Sequence, residues 1–252
     1  MMNWNGFSEY YDWEFSQICT IQGKDIEMWK RFAAEYGGPI LEICCGSGRI
    51  TLPLAEAGFE IYALDYSENL LEILKSKIQH NHKIHTFFSD MRNFYIEQKF
   101  NFAFISYSSF QQLLTLEDHL TSLATINKHL NTNGKLIFDI TPCLCEGADS
   151  KNQTLQYTMK YPKNNSIVKL YSGYEIDRLN LIKHYHDKYI ETFINGEERE
   201  FSHSISLKEC SPDYMKLILE KSGFRLIDIQ GGFNNEKLDN LSNNAIYIAE
   251  KI

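Results

Sequence analysis

The sequence has too little positive charge for a nucleic-acid-binding surface and no apolar run long enough to span a membrane. It has 25 Lys and Arg residues against 33 Asp and Glu residues, a formal net charge of −8, whereas a protein that wraps nucleic acid needs a basic face. No run of about 18 apolar residues occurs, so no helix is predicted to cross a bilayer. We therefore expect neither a nucleic-acid partner nor a membrane partner.

The sequence also lacks the cysteine spacing of a metal or redox site and the features of a secretory signal peptide. Six cysteines are present, but no two have the C-x-x-C spacing of zinc or dithiol redox sites. The N-terminal sequence MMNWNGFSEYYDWEFSQ has acids and no basic region, unlike a secretory signal peptide. We expect reduced thiols, a cytoplasmic location, and a monomer or homodimer.

The sequence does contain enough apolar material for a large core. Of its 252 residues, 43% are hydrophobic and 13% are aromatic, which excludes a disordered chain. This length predicts one or two domains that bury a core without disulfides or metals.

Short apolar runs alternate with segments of helical periodicity in the first 150 residues. Strands are predicted at 40–44, 59–64, 84–88, 101–106 and 135–140, and helices at 48–57, 68–79 and 117–130. This alternation predicts an α/β fold with a parallel, doubly wound, Rossmann-like sheet. Pro53 would cost the first helix a hydrogen bond unless it lies within the first turn.

The pattern changes near residue 150. Residues 155–207 alternate apolar and polar side chains, and Asn195-Gly196 is a strong hairpin signal. We predict three to five antiparallel strands there, inserted between strand five and the last helix. A helix at 211–221 and strands at 224–230 and 245–250 then resume the α/β pattern. The predicted domains are a lid at 1–36, a core at 37–150 and 208–252, and an insertion at 151–207.

A strand-to-helix turn carries the sharpest motif, Glu42-Ile43-Cys44-Cys45-Gly46-Ser47-Gly48. Gly46 and Gly48 would let the backbone approach a ligand closely, beside the free N–H groups of a helix N-terminus. Asp65 ends the next predicted strand, where an acid can accept hydrogen bonds from both hydroxyls of a ribose. The motif therefore predicts a nucleoside ligand.

Two nucleoside ligands compete for this turn. A dinucleotide fingerprint needs a third small residue where this chain has Thr51, so a nicotinamide-dependent oxidoreductase is the weaker alternative. A ligand with an amino-acid end tolerates Glu42, because a carboxylate can pair with an ammonium group.

These residues resemble the class I S-adenosylmethionine-dependent methyltransferases, most closely the branch that methylates small-molecule amines, such as glycine-type and amino-sugar N-methyltransferases. ILEICCGSG is similar to the family's acid-x-Gly-x-Gly-x-Gly, with Cys44 in place of the first glycine, a departure that should strain the turn. The resemblance implies a seven-stranded sheet, S-adenosylmethionine as cofactor and S-adenosylhomocysteine as product. The cofactor-binding residues that it implies are Tyr10, Glu42, Cys45, Gly46, Gly48, Asp65, Tyr66, Asp90, Met91 and Tyr107.

The family motifs also imply roles for several of these residues. Tyr66 would pack on the adenine, and Asp90 would accept a hydrogen bond from the adenine amine while the Met91 backbone contacts the ring. Tyr107, after the fourth strand, would lie near the sulfonium. This strand lacks the Asn/Asp-Pro-Pro-aromatic motif of enzymes that methylate nucleic-acid bases. No acid beyond Asp139 lies nearby, so we expect no metal and predict no catalytic residue.

The acceptor site is predicted from aromatic and acidic side chains. Phe7, Tyr10, Tyr11, Trp13 and Phe15 form a dense aromatic segment, which we interpret as a lid. The predicted substrate-binding residues are Tyr11, Trp13, Phe110, Gln111, Glu175, Asp177 and Asp187; their acids and aromatic faces would suit a cation.

The predicted function is methyl transfer to a nitrogen of a small molecule or short peptide, including the terminal amine of a cationic peptide natural product. The alternatives are O-methylation of a hydroxyl or carboxylate, the oxidoreductase, and a module that binds the cofactor without turnover.

Overall fold

The computed structural model describes residues 8–18 and 23–252. Its helices are α1 (Ser8–Ile18), α2 (Lys24–Tyr36), α3 (Thr51–Glu56), α4 (Glu68–Lys77), α5 (Leu116–His129) and α6 (Pro212–Lys221). Its strands are β1 (Ile40–Ile43), β2 (Ile61–Asp65), β3 (Ile84–Phe88), β4 (Phe100–Ile105), β5 (Leu130–Ile140), β6 (Ser150–Lys160), β7 (Ile167–Asp177), β8 (Ile182–Thr192), β9 (Glu198–Lys208), β10 (Phe224–Gln230) and β11 (Ala245–Lys251).

The chain forms two compact units. The insertion unit comprises α1 and Cys143–Glu209, and the core unit comprises the described residues of Thr20–Pro142 together with Cys210–Ile252. The described part of the predicted lid is thus divided, because α1 belongs to one unit and α2 to the other. Phe7 lies outside the described residues. No helix of the described chain is long and apolar enough to cross a membrane.

The core unit contains a seven-stranded sheet in the order β10-β11-β5-β4-β1-β2-β3. Strand β1 pairs in parallel with both β2 and β4, and β11 pairs antiparallel with β5 and β10. The predicted fold class is therefore confirmed, including the number of strands. Because the chain leaves β1 toward β2 on one side while β4 lies on the other, the carboxyl ends of β1 and β4 form the topological switch point where such sheets bind ligands.

Local chemistry explains where the helices of the core unit begin. The Ser67 side chain accepts the Leu70 N–H at the start of α4, and Ser211 accepts the Tyr214 N–H at the start of α6. Helix α3 begins at Thr51, later than predicted, because the preceding residues form the glycine turn. Pro53 therefore lies within the first turn, where it costs no helical hydrogen bond.

The central strands are buried on both faces. Every residue of β1 is buried, and Phe102 and Phe104 of β4 are fully buried. Trp29 of α2 stacks on Phe104 with ring centroids 4.6 Å apart. This close packing makes the strands that end at the switch point rigid.

The insertion unit is a four-stranded antiparallel sheet in the order β6-β7-β8-β9. The four strands fall within the predicted three to five, and Gly196, with φ of 85°, lies in the hairpin that the Asn-Gly pair predicts. Helix α1 packs on this sheet through Tyr10, which is fully buried in a cluster with Tyr161, Val168 and Tyr189. Tyr10 of the aromatic segment is therefore part of the core of this unit, and Trp13 packs against it.

Candidate functional site

The turn after β1 is tightly wound and needs its glycines. Gly46 and Gly48 have φ of 55° and 89°. A Cβ atom on Gly48 would lie 2.4 Å from Leu74 Cδ1, inside van der Waals contact. The Gly48 N–H donates to the Cys45 carbonyl at 3.0 Å, and the Cys45 N–H donates to the Leu64 carbonyl at 3.0 Å. The backbone is thereby held at the switch point in a conformation open to a close ligand.

Cys44 stands in this turn with a φ of 63°, in the left-handed region. The strain expected from a cysteine at the family's glycine position is therefore present. The five described cysteines, Cys44 among them, have free thiols.

We predict that Cys44→Gly changes the free energy of unfolding by less than about 1 kcal/mol, since relief of left-handed strain offsets the added entropy of the unfolded chain. Cys44→Val should cost about 2 kcal/mol, because a β-branched residue is poorly tolerated at positive φ. Urea unfolding of both variants tests this. Equal stability of the glycine and valine variants would contradict the assigned backbone conformation.

Asp65 ends β2 beside the glycine turn and is 7% exposed. Its Oδ2 accepts the Gly46 N–H and its Oδ1 accepts the Ser67 N–H, each at 2.8 Å. Burial raises the pKa of this carboxyl, and the backbone N–H groups oppose the shift. The Tyr66 N–H group also acts on this carboxyl. A carboxylate offers about four acceptor positions, so capacity remains for a ribose hydroxyl. Tyr66, the next residue, is half-buried.

Glu42 lies in β1 and is 1% exposed. It accepts a 2.6 Å hydrogen bond from the Thr51 hydroxyl, and burial raises its pKa to about 8. Arg49 lowers this pKa through its charge, but the guanidinium itself pairs with Asp25, with Nη1 3.0 Å from Oδ1. Glu42 is thus a desolvated carboxyl that a cationic ligand would stabilise in its ionised form.

Asp90 follows β3 and pairs with Arg92, two residues further along the chain. The Arg92 Nε and Nη2 atoms lie 3.0 and 2.6 Å from the two Asp90 oxygens, and the Arg92 N–H donates to Oδ1 at 2.8 Å. Arg92 therefore holds the pKa of Asp90 below its usual range. Met91 is 8% exposed, with its side chain in the core. Adenine contacts by Asp90 and Met91 stay predictions.

The segment after β4 is fixed by an acid to which the sequence assigned no role. Tyr107 and Ser108 have φ of 58° and 55°, and their N–H groups donate to the two Asp139 oxygens at 2.7 and 3.0 Å. Tyr107 is 47% exposed, and the Arg49 guanidinium carbon lies 5.7 Å from its ring centroid. The only sequence signal for Asp139 is an acid at the end of a central strand.

Phe110 and Gln111, predicted to bind substrate, are fully buried. Phe110 stacks on His119 with ring centroids 4.7 Å apart and lies tilted against Phe138 at 5.2 Å. The Gln111 amide donates to the Thr141 carbonyl at 3.0 Å and accepts the Thr141 N–H at 2.8 Å. These contacts brace the segment after β4, and direct contact with a substrate stays a prediction for both residues.

In the insertion unit, the aromatic residues of α1 pack on the sheet. The Tyr10 hydroxyl donates to Glu191 at 2.6 Å, and its ring stacks on Phe201 at 5.0 Å. Trp13 packs edge-on against Tyr161, and Tyr11 is half-buried. These contacts explain the aromatic density through packing. Roles for Tyr10 at the cofactor, and for Tyr11 and Trp13 at a substrate, stay predictions.

Two carboxylates of the insertion unit are desolvated. Glu14 of α1 is 4% exposed and accepts hydrogen bonds from the Tyr157 hydroxyl at 2.7 Å and the Tyr189 hydroxyl at 3.1 Å. Burial raises the pKa values of Glu14 and Asp187, and the charge of Asp187 adds to the shift of Glu14. Within the described residues, neither carboxylate forms a salt bridge. Glu14 is not among the residues predicted from the sequence, where its signal is its position four residues after Tyr10 on a buried helix face.

The other two predicted acids are solvated and have local partners. Glu175 lies 3.2 Å from Lys151 Nζ and 3.8 Å from His186 Nε2. Asp177 accepts the N–H groups of Leu179 and Asn180 in the turn between β7 and β8. Both side chains thus stabilise the sheet, and a contact with substrate stays a prediction.

Comparison with known proteins agrees with the geometry of the core unit. Residues 40–134 match the family described as methyltransferase domain. A demethylmenaquinone methyltransferase of Staphylococcus haemolyticus is 27% identical over 80% of this chain and 74% of its own length. A glycine/sarcosine N-methyltransferase of Aphanothece halophytica is 25% identical over 98% of this chain and 88% of its own. Three other bacterial methyltransferases align over 56%, 46% and 54% of their lengths, about half.

Solved structures share the fold. An S-adenosylmethionine-dependent methyltransferase from Clostridium acetobutylicum superposes with a TM-score of 0.83 at 15% identity, covering 98% of this chain and 99% of that one. An amino pentose methyltransferase from Micromonospora echinaspora gives a TM-score of 0.68 at 16% identity, covering 92% and 90%. Residues 40–134 thus match a methyltransferase domain, and the chain has the fold of the S-adenosylmethionine-dependent methyltransferases, as the sequence motifs predict.

Proposed function

We propose that this protein binds S-adenosylmethionine in the core unit and transfers its methyl group to a nitrogen of a small molecule or short peptide. The single observation that carries the choice of nitrogen is the pair of desolvated carboxylates, Glu14 and Asp187, in the insertion unit. Their raised pKa values and missing salt-bridge partners leave a region of the described chain that favours a cation.

The residues of the switch point suit the cofactor. Asp65 retains acceptor capacity for a ribose, the backbone turn at Gly46 and Gly48 admits a close ligand, and buried Glu42 gains most from a neighbouring ammonium group. Bound there, the cofactor supplies a methyl group already activated by a sulfonium. The protein therefore contributes mainly alignment and exclusion of water.

An amine acceptor also needs a route for its proton. A protonated amine has no lone pair for attack, so the proton must leave before the methyl group arrives. Glu14 Oε1 and the Asp187 carboxylate attract the ammonium form, and their raised pKa values make them better proton acceptors than exposed acids. We propose these two groups as the residues that recognise the amine.

Relatives support a nitrogen acceptor and also supply the competing candidate. The glycine/sarcosine N-methyltransferase aligns over nearly the whole chain, and the amino pentose methyltransferase shares the fold. The relative named for demethylmenaquinone favours a second candidate, an acceptor atom other than nitrogen, which includes O-methylation of a hydroxyl or carboxylate.

The test is calorimetric titration with S-adenosylmethionine, S-adenosylhomocysteine and NADH, followed by a methyl-transfer assay. We expect micromolar binding of the first two ligands only. The acceptor panel pairs glycine, an amino sugar and an Arg-containing peptide with their N-acetylated forms. Transfer to free amines but not to acetylated partners supports the proposal, whereas equal transfer to both members of each pair would contradict a nitrogen acceptor.

We predict that Asp187→Asn raises KM for an amine acceptor by about 10-fold or more, because a charge-assisted hydrogen bond is lost. Affinity for S-adenosylmethionine should be unchanged. Glu200→Gln is the matched control, since Glu200 is an exposed acid of the same sheet that pairs with Lys188. An unchanged KM in the Asp187 variant would remove this residue from the acceptor site.

A further inference from the structure

The segment after β4 contains two consecutive residues in a strained conformation. Tyr107 and Ser108 both have φ in the left-handed region, 58° and 55°, and neither is a glycine. Such residues persist only where their surroundings hold them, and they cluster at functional sites. The contacts that hold this pair are therefore informative about function.

The end of β5 supplies those contacts. The Asp139 carboxylate, 4% exposed, accepts both strained N–H groups, at 2.7 Å from Tyr107 and 3.0 Å from Ser108. Thr141 adds a hydroxyl contact to Ser108 at 3.0 Å and two backbone hydrogen bonds to the Gln111 amide. Asp139 thus acts directly on both strained backbone N–H groups.

Tyr107 and Ser108 lie at the switch point. Strand β4 ends at Ile105, directly beside the end of β1, so Tyr107 follows the strand whose carboxyl end borders the ligand crevice. Its ring is 47% exposed, and the guanidinium carbon of Arg49, which itself pairs with Asp25, lies 5.7 Å from the ring centroid. A half-exposed aromatic ring fixed at this edge is positioned to contact a cationic ligand.

We propose that Asp139 is a positioning residue for methyl transfer, whose carboxylate clamps the Tyr107 and Ser108 backbone and so presents the Tyr107 ring to the cofactor site. It acts through Tyr107 and touches no reacting atom. This inference rests on the proposed methyltransferase function.

The clamp requires an ionised carboxylate. A protonated Asp139 would turn one acceptor oxygen into a donor that faces a backbone N–H group. Burial raises the pKa of Asp139 to about 6; the Tyr107 and Ser108 amides and Arg49 oppose this shift, and Asp25 adds to it. The two amides belong to the segment after β4, Arg49 to the turn after β1, and Asp25 to α2. The clamp is therefore intact above about pH 6 and weakens below it.

The test compares Asp139→Asn with wild type, using S-adenosylmethionine as the probe. We expect the variant to bind about 10-fold more weakly near pH 8, with the difference closing toward about pH 5, where wild-type Asp139 is protonated. Other groups that titrate are common to both proteins, so the ratio of the two Kd values reports Asp139. Thr141→Val, which removes only the hydroxyl contact, should give a Kd ratio to wild type that does not vary with pH.

Hydrogen exchange gives a readout that does not depend on the cofactor. After correction for the intrinsic rate, protection of the Tyr107 and Ser108 amides should fall below about pH 6 in wild type and be low at every pH in Asp139→Asn. If that variant does not fold, Ser108→Gly is measured instead. Glycine adopts positive φ freely, so this backbone should depend less on the Asp139 carboxylate. The protection of its amides should therefore change less with pH than in wild type.

A Kd ratio near one, or a ratio that is constant with pH, would overturn the positioning role while leaving the proposed function intact. A failure of the wild-type protein to bind S-adenosylmethionine would instead overturn both.

Discussion

Replacing Asp65 by alanine is expected to weaken binding of S-adenosylmethionine by about 100-fold or more. The ligand would lose its ribose hydrogen bonding to this carboxylate, and each such bond is worth about 1.5–3 kcal/mol when the acceptor is charged. The same change removes the acceptors for the Gly46 and Ser67 N–H groups, which hold the glycine turn. Both effects act on the cofactor site, so the loss should appear in Kd measured by calorimetry.

Two comparisons show whether this loss reflects recognition or unfolding. Asp65→Asn keeps the shape of the side chain and one acceptor oxygen, so its loss of affinity should lie between those of wild type and Asp65→Ala. Glu60→Gln, at an exposed acid that pairs with His85, controls for charge alone and should bind normally. A folded Asp65→Ala protein with Kd within about threefold of wild type would exclude Asp65 from the ribose site.

The fold could be predicted largely because its signals are local. Apolar runs and helical periodicity repeat within a few residues, so strands such as β1 and the cap at Ser67 are visible in sequence. The hairpin at Asn195-Gly196 is equally local. The partner of α1 is a different matter. Its aromatic density indicates burial, but only the folded chain shows that Tyr10 contacts Glu191 and Phe201 of the antiparallel sheet.

The candidate site divides in the same way. Glu42, Asp65 and the two glycines follow from their places at strand ends, and the structure brings them together. The capture of Asp90 by Arg92 and of the Tyr107 amide by Asp139 depends on side-chain direction, which spacing does not encode. Phe110 and Gln111 follow a strand that ends at the site, yet their side chains are buried. Position along the chain thus identifies the edge of the sheet but not which side chains face a ligand.

Glu42 leads to the second prediction of large effect, a strong pH dependence of cofactor binding. In the unliganded protein, burial raises the pKa of Glu42 to about 8, so near neutral pH the side chain is mostly protonated. An ammonium group beside it would favour the carboxylate and lower that pKa. Binding then releases a proton, and affinity for S-adenosylmethionine should rise toward tenfold per pH unit as pH increases up to about 8.

Calorimetry in buffers of different ionisation enthalpy measures the released proton directly. Wild type should release close to one proton near pH 7, whereas Glu42→Gln should release none from this site and lose the slope. Glutamine can still accept the Thr51 hydroxyl, so the packing recorded at 2.6 Å is kept. The α-amino group of the ligand loses its own proton near pH 8, which limits the rise for both proteins.

Identical slopes in the two proteins would mean that Glu42 does not face the ammonium group. Glu42 would then affect stability alone, and the stability of the glutamine variant relative to wild type should rise between about pH 4.5 and about pH 8 and level off above, because over that window Glu42 ionises only in the unfolded chain.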